Sequence, residues 1–322
     1  MKACVVQKLS GPAGMVYTDI DEPSDGGGNL VIDVRAAGVC FPDLLLSKGE
    51  YQLKLPPPFV PGMETAGVVR SAPAGSGFTV GERVSAFGIL GGFAEQVAAP
   101  VANVIRSPAE LDDAEAVSLL VNYNTVYFAL ARRAAMRPGD TVLVLGAAGG
   151  VGTAAVQIAK AMGASKVIAV VHREGAADYV SSLGADAVLP LTDGWAQRVR
   201  DYTHGQGVDI VVDPIGGPAC DDAIRVLAID GKVLVIGVAA GSIPTVKVNR
   251  LLLRNVSVIG VAWGEYLNKV PGSAALFSWG LSQLVFLGLK PPAPQRYPLS
   301  EGKAALQSLA DGGVLGKLVL EP

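Results

Sequence analysis

The sequence predicts an α/β protein in two parts, a doubly wound parallel sheet in mid-chain and a smaller barrel-like β domain drawn from both ends. Three observations predict it. A short apolar run, Thr141–Leu145, leads into a cluster of glycines between Gly146 and Gly152. Beyond it, apolar β-branched runs alternate with helix-forming stretches, the pattern of strands covered on both faces. Residues 1–105 instead hold short β-rich runs separated by Gly and Pro clusters.

In chain order, residues 3–6, 29–34, 66–70 and 93–97 are the β-favouring runs of the first part, with breaks such as Asp25-Gly-Gly-Gly28 and Pro56-Pro-Pro58 between them. Residues 111–135 have helical composition and bridge to the centre. After the strand Thr141–Leu145, Gly146 and Gly149 permit a tight turn, and Gly152 lets the next helix pack on the strand. That helix is expected over 153–162, with Gly163 as its stop. Lys166–Val171 is too short and too β-branched for a helix, so it is the second strand. The unit recurs as a strand at 187–189, a polar helix at Trp195–Tyr202, a strand at Val208–Asp213, a helix over 217–227 and a strand over 232–237. Residues 255–261 are apolar and β-branched and belong at the edge of that sheet. The most apolar stretch, 274–289, is shorter than a membrane span and carries Ser278, Ser282 and Gln283, so a buried helix is expected. Residues 316–320 give a last strand, expected beside the N-terminal ones. The expected domains are therefore 1–122 with 266–322, and 123–265.

Bulk properties narrow the function. Half of the 322 residues are apolar and 17% are charged, which suits a large packed core. A net charge of −3 offers no electrostatic case for nucleic acid. Cys4, Cys40 and Cys220 are few and far apart, as reduced thiols of a cytoplasmic protein would be. The N-terminal residues lack an apolar signal core, and no membrane partner is expected.

Function concentrates at the glycine turn. A strand that turns through glycines into a helix leaves the helix's first amides free at the positive end of its dipole, a site for a pyrophosphate. Gly146, Ala147, Ala148, Gly149, Gly150, Val151 and Gly152 are thus the candidate cofactor-binding residues, unless the glycines serve only the turn. In NAD-binding units an acid about 20 residues further on accepts the ribose 2′-hydroxyl. Here the strand ends on Val171, followed by His172 and Arg173. An uncharged strand end and a guanidinium suit a 2′-phosphate, so NADPH is expected over NADH. The competing reading makes Arg173 a loop residue and gives the acid's task to Glu174; Asp178 and Tyr179 are what the chain offers further along. Ile215, Gly237 and Val238, at the ends of later strands, should line the nicotinamide in a cleft between the domains.

With that order of domains, the chain resembles the medium-chain dehydrogenase/reductase superfamily, and within it the zinc-independent quinone oxidoreductase group. The resemblance rests on Ala37-Gly-Val-Cys-Phe-Pro-Asp43, Gly49-Glu-Tyr51, Pro61-Gly-Met-Glu-Thr-Ala-Gly67, Gly81-Glu-Arg-Val84, Gly91-Gly-Phe-Ala-Glu95, the glycine turn and Gly316-Lys317. It implies a Rossmann domain with a discontinuous GroES-like β-barrel domain. Zinc-dependent members hold their metal with a Cys, a His and a second Cys. Cys40, Asp43 and Glu64 fit the surrounding segments, but Met63 stands at the His position and the third position falls near Asn122. A thioether and an amide do not replace imidazole and thiolate, and three cysteines cannot form the structural four-cysteine site, so no zinc is expected. Cys40 is then a small pocket-wall residue.

The resemblance also places Thr125 near the nicotinamide ring, with Asn122 and Asn124 beside it as helix caps or ligand contacts. Tyr51 stands where related reductases carry a tyrosine facing the cleft. It is the candidate catalytic donor, or else it packs on the prolines at 56–58. Trp263 and Tyr266 offer an aromatic wall for a flat acceptor or core packing, and Phe41 adds to the pocket. Asn249 and Arg250 reach the cleft or form a salt bridge on their helix. Pairing of residues 255–261 across a two-fold axis, as in relatives, implies a homodimer.

Without a metal or an evident base, oxidising an alcohol is demanding. Quinones and α,β-unsaturated carbonyls take hydride at a carbon that conjugation has already made electrophilic. The protein then needs only to align the reactants, exclude water and offer a donor to the developing oxyanion. The expected function is NADPH-dependent reduction of a small-molecule quinone or enone. The alternatives are an enoyl-thioester reductase and an NADPH-binding protein with little turnover.

Overall fold

The computed structural model describes every residue except Asp25, Gly27, Ile89 and Glu174. The acid reading at Glu174 and part of the 25–28 cluster therefore lie outside the described residues. By contacts the chain divides into Met1–Val121 with Lys290–Pro322, and Asn122–Leu289.

The first unit opens with the strands β1 (Lys2–Val6), β2 (Met15–Asp19) and β3 (Asn29–Val39), followed by helix α1 (Phe41–Lys48). The residue before α1, Cys40, is extended, and the Asp43 side chain accepts its amide; Gly49, at φ 70°, closes the helix in the left-handed region where glycine carries no Cβ penalty. Next come β4 (Glu64–Ser71), β5 (Arg83–Phe87), β6 (Gln96–Pro100), β7 (Val104–Arg106) and α2 (Asp113–Ser118), which Asp112 and Glu115 cap reciprocally.

In the second unit, α3 (Asn124–Tyr127) precedes β8 (Thr141–Leu145), α4 (Gly150–Ala161), β9 (Lys166–Val171), α5 (Ala176–Ser182) and β10 (Ala187–Pro190). There follow α6 (Trp195–Tyr202), β11 (Val208–Asp213), α7 (Gly217–Arg225), β12 (Leu227–Val235), α8 (Val248–Arg254), β13 (Ser257–Gly260), α9 (Trp263–Lys269) and α10 (Ser273–Phe286). The chain then returns to the first unit through β14 (Gln295–Pro298), α11 (Gly302–Ala310) and β15 (Leu318–Glu321).

The sheet of the second unit runs β10-β9-β8-β11-β12-β13 with every pair parallel. Its order reverses between β8 and β11, so the crevice for a ligand lies at the carboxyl ends of those two strands. In the first unit the order is β14-β15-β3-β4-β5-β7, with β6 also on β3. The returning β15 lies antiparallel to β3, with Leu318 opposite Val39, which brings the residue before it, Lys317, to the end of β3. Alternate side chains of these strands fill the core around Leu30, Ile32, Val84, Phe93 and Leu320.

Three expectations need correction, and one gains detail. The second boundary falls after Leu289 and not after 265, because Tyr266 and Phe277 pack on Phe128 within the second unit, with ring centroids 4.9 and 5.2 Å from it. The bridging segment is helical as expected, in α and π turns. It widens into π-helical turns at Leu119–Tyr123 and Phe128–Ala134 on either side of α3. Helix α7 stops at Arg225, since Leu227 already belongs to β12. The stretch expected as a buried helix buries one face only: Phe277, Leu281 and Val285 point inward, whereas Leu276, Trp279, Phe286 and Leu287 are exposed.

Candidate functional site

The turn from β8 into α4 has the geometry of an anion site. Gly146 sits at φ 59°, and the Gly149 amide donates back to the Gly146 carbonyl at 3.0 Å. The i→i−4 ladder begins with the Thr153 amide on the Gly149 carbonyl at 2.8 Å, so the amides of Gly150, Val151 and Gly152 precede it. A Cβ on Gly152 would strike the Gly146 carbonyl and come within 2.5 Å of Ala147 Cα, so this glycine is what lets α4 approach β8. Gly149 differs: at φ −81°, its Cβ would meet nothing nearer than 3.6 Å. Ala147 and Ala148 are buried beneath the turn, while Gly149, Gly150 and Val151 are partly open.

The later strand ends converge on this turn. A Cβ on Gly146 would lie 3.0 Å from Ile215, and one on Gly216 would lie 3.0 Å from Val238. The Ala239 amide donates to the Pro214 carbonyl and the Ala240 amide to the Ile215 carbonyl, at 3.2 and 3.0 Å. Gly146, Ile215, Gly237 and Val238 are thus brought together. Their organiser is Asp213, whose side chain is fully buried. Its Oδ1 accepts the amides of Ile215 and Gly216 at 2.9 and 2.8 Å and so fixes the turn beyond β11. Burial raises this carboxyl above its ordinary range against the pull of those two amides. The Cys220 thiol beside it is pushed up to about 12 by its own burial and then by Asp213.

Past β9, His172 is exposed and Arg173 partly so. Burial, with Arg173 second, lowers the His172 pKa. The Tyr179 hydroxyl lies 3.1 Å from Thr153 Oγ1, which sets the phenol against the first turns of α4. In the bridging segment Tyr123 donates to Gln157 Oε1 of α4, next to the half-buried Thr125. Trp263 is buried at the start of α9, and the Tyr266 ring sits in the aromatic cluster with Phe128 and Phe277. Arg250 of α8 pairs with Asp221 of α7, so its salt bridge joins two helices and does not lie on its own.

The first unit holds the other candidates. Phe41 is exposed at the start of α1, and Tyr51 is half-buried just after that helix. Cys40 is not a bare pocket wall. Its Sγ lies 3.0 Å from Glu64 Oε1 and 3.1 Å from Lys317 Nζ, and Lys317 also pairs with Glu64. Glu64 Oε2 accepts the Val121 amide at 2.7 Å, and Asp43 accepts the amides of Cys40 and Gly62 at 2.9 and 3.0 Å. All four side chains are buried. Burial and then Glu64 hold the Cys40 thiol well above its ordinary value. For Lys317 burial acts downward, yet Cys40 and Glu64 outweigh it and its pKa is raised.

This donor set does not suit zinc. An ammonium within hydrogen-bond reach of both the thiol and the carboxylate already neutralises the position, and Met63 and Asn122 stand where imidazole and thiolate would be needed. Among the described residues, no three His, Cys, Asp or Glu side chains are placed to hold a metal ion. Nor is any helix among them long and apolar enough to cross a membrane. Sequence reasoning missed the roles of Lys317 and Asp213. The first stood in the Gly316-Lys317 segment with nothing local to show its partners, whereas the second, an acid at a strand end before Pro-Ile-Gly-Gly, had the form of a turn-capping residue.

Comparison with known proteins shows the family of the chain. Residues 150–279 match the zinc-binding dehydrogenase family, and residues 26–109 match the alcohol dehydrogenase GroES-like domain. The chain is 33% identical over 283 residues to quinone oxidoreductase-like protein 2 of Rattus norvegicus, covering 87% of this chain and 79% of that one. Its fold is similar to that of a probable oxidoreductase from Mycobacterium abscessus, with a TM-score of 0.93, 60% identity and coverage of 100% and 99% of the two chains. It is also similar to the quinone oxidoreductase from Thermus thermophilus, solved alone and with NADPH, with a TM-score of 0.84, 33% identity and both chains fully covered at 100%.

Proposed function

Because the chain belongs to the quinone oxidoreductase group of the medium-chain dehydrogenase/reductase superfamily, we propose that it is an oxidoreductase that passes hydride from NADPH to quinones or α,β-unsaturated carbonyls, with no metal in the reaction. The observation that carries the reading is the first turn of α4, with the amides of Gly150, Val151 and Gly152 ahead of the helical ladder and Ile215 packed on Gly146 beside it.

Those amides bind the pyrophosphate, assisted by the helix dipole. Arg173 faces the 2′-phosphate, with Tyr179 on Thr153 as a neighbouring hydroxyl. Asp213 keeps the 214–217 turn in shape for the nicotinamide end, which Thr125, Gly237 and Val238 also serve. NADPH, when bound, supplies the hydride. Tyr51 offers its hydroxyl to the acceptor's oxygen, and Cys40 and Phe41 of the same unit are candidate lining of the acceptor pocket. Lys317 is engaged by Cys40 and Glu64, so it supports the metal-free reading without acting on the acceptor.

The test is NADPH oxidation with a benzoquinone, a naphthoquinone, an enone, a crotonyl thioester and an aldehyde, before and after exhaustive chelation. Turnover with a quinone or the enone, unchanged by chelator and stronger with NADPH than NADH, is the expected result. Turnover confined to the thioester would make it an enoyl-thioester reductase, and none above background would leave an NADPH-binding protein. Loss of activity on chelation would overturn the metal-free reading.

We also propose a homodimer. β13 ends the parallel sheet, and among the described residues it pairs only with β12, leaving an apolar edge that a second copy would cover. A monomer by light scattering at micromolar concentration would reject this.

A further inference from the structure

The cluster around Cys40 takes part in no step of the proposed reduction. It joins three chain segments: the end of β3, the start of β4 and the residue before β15. Cys40 Sγ donates to Glu64 Oε1 at 3.0 Å and accepts from Lys317 Nζ at 3.1 Å, while Lys317 also contacts Glu64. A thiol, an amine and a carboxylate in mutual contact are a reactive set once the sulfur is oxidised. The carboxylate can shuttle the protons, and the amine is already beside the sulfur.

We propose that peroxide oxidation of Cys40 ends in a reversible covalent sulfur–nitrogen bond to Lys317. In the first step the Cys40 thiol gives its proton to Glu64 and its sulfur attacks one oxygen of the peroxide. The S–O bond forms as the O–O bond breaks, and the departing hydroxide takes the proton from Glu64 and leaves as water. Sulfur is oxidised by two electrons and the peroxide is reduced by two, giving a sulfenic acid. In the second step Lys317 gives an ammonium proton to Glu64 and its nitrogen attacks the sulfenic sulfur. The S–N bond forms, the S–O bond breaks, and the hydroxide leaves as water with the proton held by Glu64. The nitrogen's extra proton then passes out through the same carboxylate. No second oxidant is consumed.

Geometry favours this end point over further oxidation. A sulfinic acid requires a second peroxide to reach the sulfur, whereas the amine needs only to close a 3.1 Å gap. Burial and Glu64 keep the thiol mostly protonated, so the bond forms under sustained peroxide and not at low levels. The other two thiols serve as controls within the same chain. Cys4 donates to the Leu299 carbonyl, and Cys220 lies against the Asp213 carboxyl.

Treating the full chain with hydrogen peroxide, then denaturing, alkylating, digesting and mapping it by mass spectrometry tests the proposal. The expected product is a joined pair of peptides, one with Cys40 and one with Lys317, lighter by two hydrogens than their sum and separated again by dithiothreitol. Lys317→Arg keeps the cation and Cys40→Ser keeps a hydrogen-bonding group; neither variant should give the joined pair. Cys40 recovered as a free thiol, or as sulfinic or sulfonic acid, with no joined peptide from the wild type would overturn the proposal. That outcome needs no variant to fold, and it is independent of the enzyme's activity.

Discussion

Gly149→Ala separates a binding role for the glycine turn from a structural one. At φ −81° alanine fits the backbone, and the new methyl has 3.6 Å to its nearest neighbour, the Gly146 carbonyl. Losing glycine at the helix cap and gaining a stiffer unfolded chain act in opposite directions, so stability should change by no more than about 1 kcal/mol. If the turn binds a phosphate as proposed, a methyl at this helix cap should hold it away from the Gly150 and Val151 amides. A hydrogen bond to a charged group is worth about 1.5–3 kcal/mol, and losing one weakens binding roughly 10- to 150-fold.

Gly152→Ala is the counterpart. Its Cβ would lie 2.5 Å from Ala147 Cα, so β8 and α4 must part before it fits. Overpacking of that kind costs about 1–3 kcal/mol, so both stability and affinity should fall. Urea unfolding and titration of NADPH fluorescence measure the two quantities for each variant. A Gly149→Ala protein that folds normally and binds NADPH as tightly as the wild type would refute the phosphate assignment.

Three further outcomes follow from the buried acids. Lys317→Met leaves the Glu64 carboxylate buried with no cation and should cost roughly 3–5 kcal/mol by urea unfolding; adding Glu64→Gln should recover part of the loss, and a fully additive pair would show that the two side chains do not interact. Burial pushes the Asp43 carboxyl up to about 7, above its value in the unfolded chain. The native state therefore holds this proton more tightly, and its contribution to stability is complete below the unfolded value and is lost as pH rises through 7. Stability relative to Asp43→Asn should fall between about pH 4 and 7, with a slope of at most about 1.4 kcal/mol per pH unit, and a constant difference would exclude that titration. Asp213→Ala strands the Ile215 and Gly216 amides at about 1–3 kcal/mol each and should weaken NADPH binding; unchanged affinity in a folded variant would remove Asp213 from the site.

Much of the second unit was legible because its strands are buried. Thr141–Leu145, Lys166–Val171 and Val208–Asp213 have the bounds that apolar runs between glycines and polar residues imply. The returning strand was legible for the same reason. What escaped depends on partners distant in sequence. Lys317 in Gly-Lys-Leu-Val-Leu has the look of a solvent-facing end, and only the pairing of β15 with β3 sets it against Glu64. Between Ser273 and Leu289 no charge marks an outer face, so composition alone could not tell the inward Phe277 from the outward Trp279. The π-helical widening on either side of α3 changes hydrogen bonding but not composition, and so left no trace in the sequence.

On the proposed function, the Cys40–Glu64–Lys317 cluster cannot activate an acceptor as a metal would. A metal ion would accept a lone pair from the substrate's oxygen, but an ammonium committed to a thiol and a carboxylate has no such vacancy to offer. On the metal-free reading proposed above, polarisation comes from the acceptor's own conjugation and from a hydrogen-bond donor, the role proposed for Tyr51. The two acceptor classes differ in how much they need it. Hydride addition to an enone leaves a strongly basic enolate, whereas a quinone yields a weakly basic hydroquinone anion that water can protonate after release. Tyr51→Phe should therefore lower kcat for the enone by roughly 100-fold or more, the scale of general acid catalysis, and lower it much less for the quinone. NADPH affinity, measured by fluorescence, should stay unchanged in the same variant. Equal losses on both acceptors would show that Tyr51 shapes the pocket and does not supply a proton, and no loss on either would remove it from the reaction.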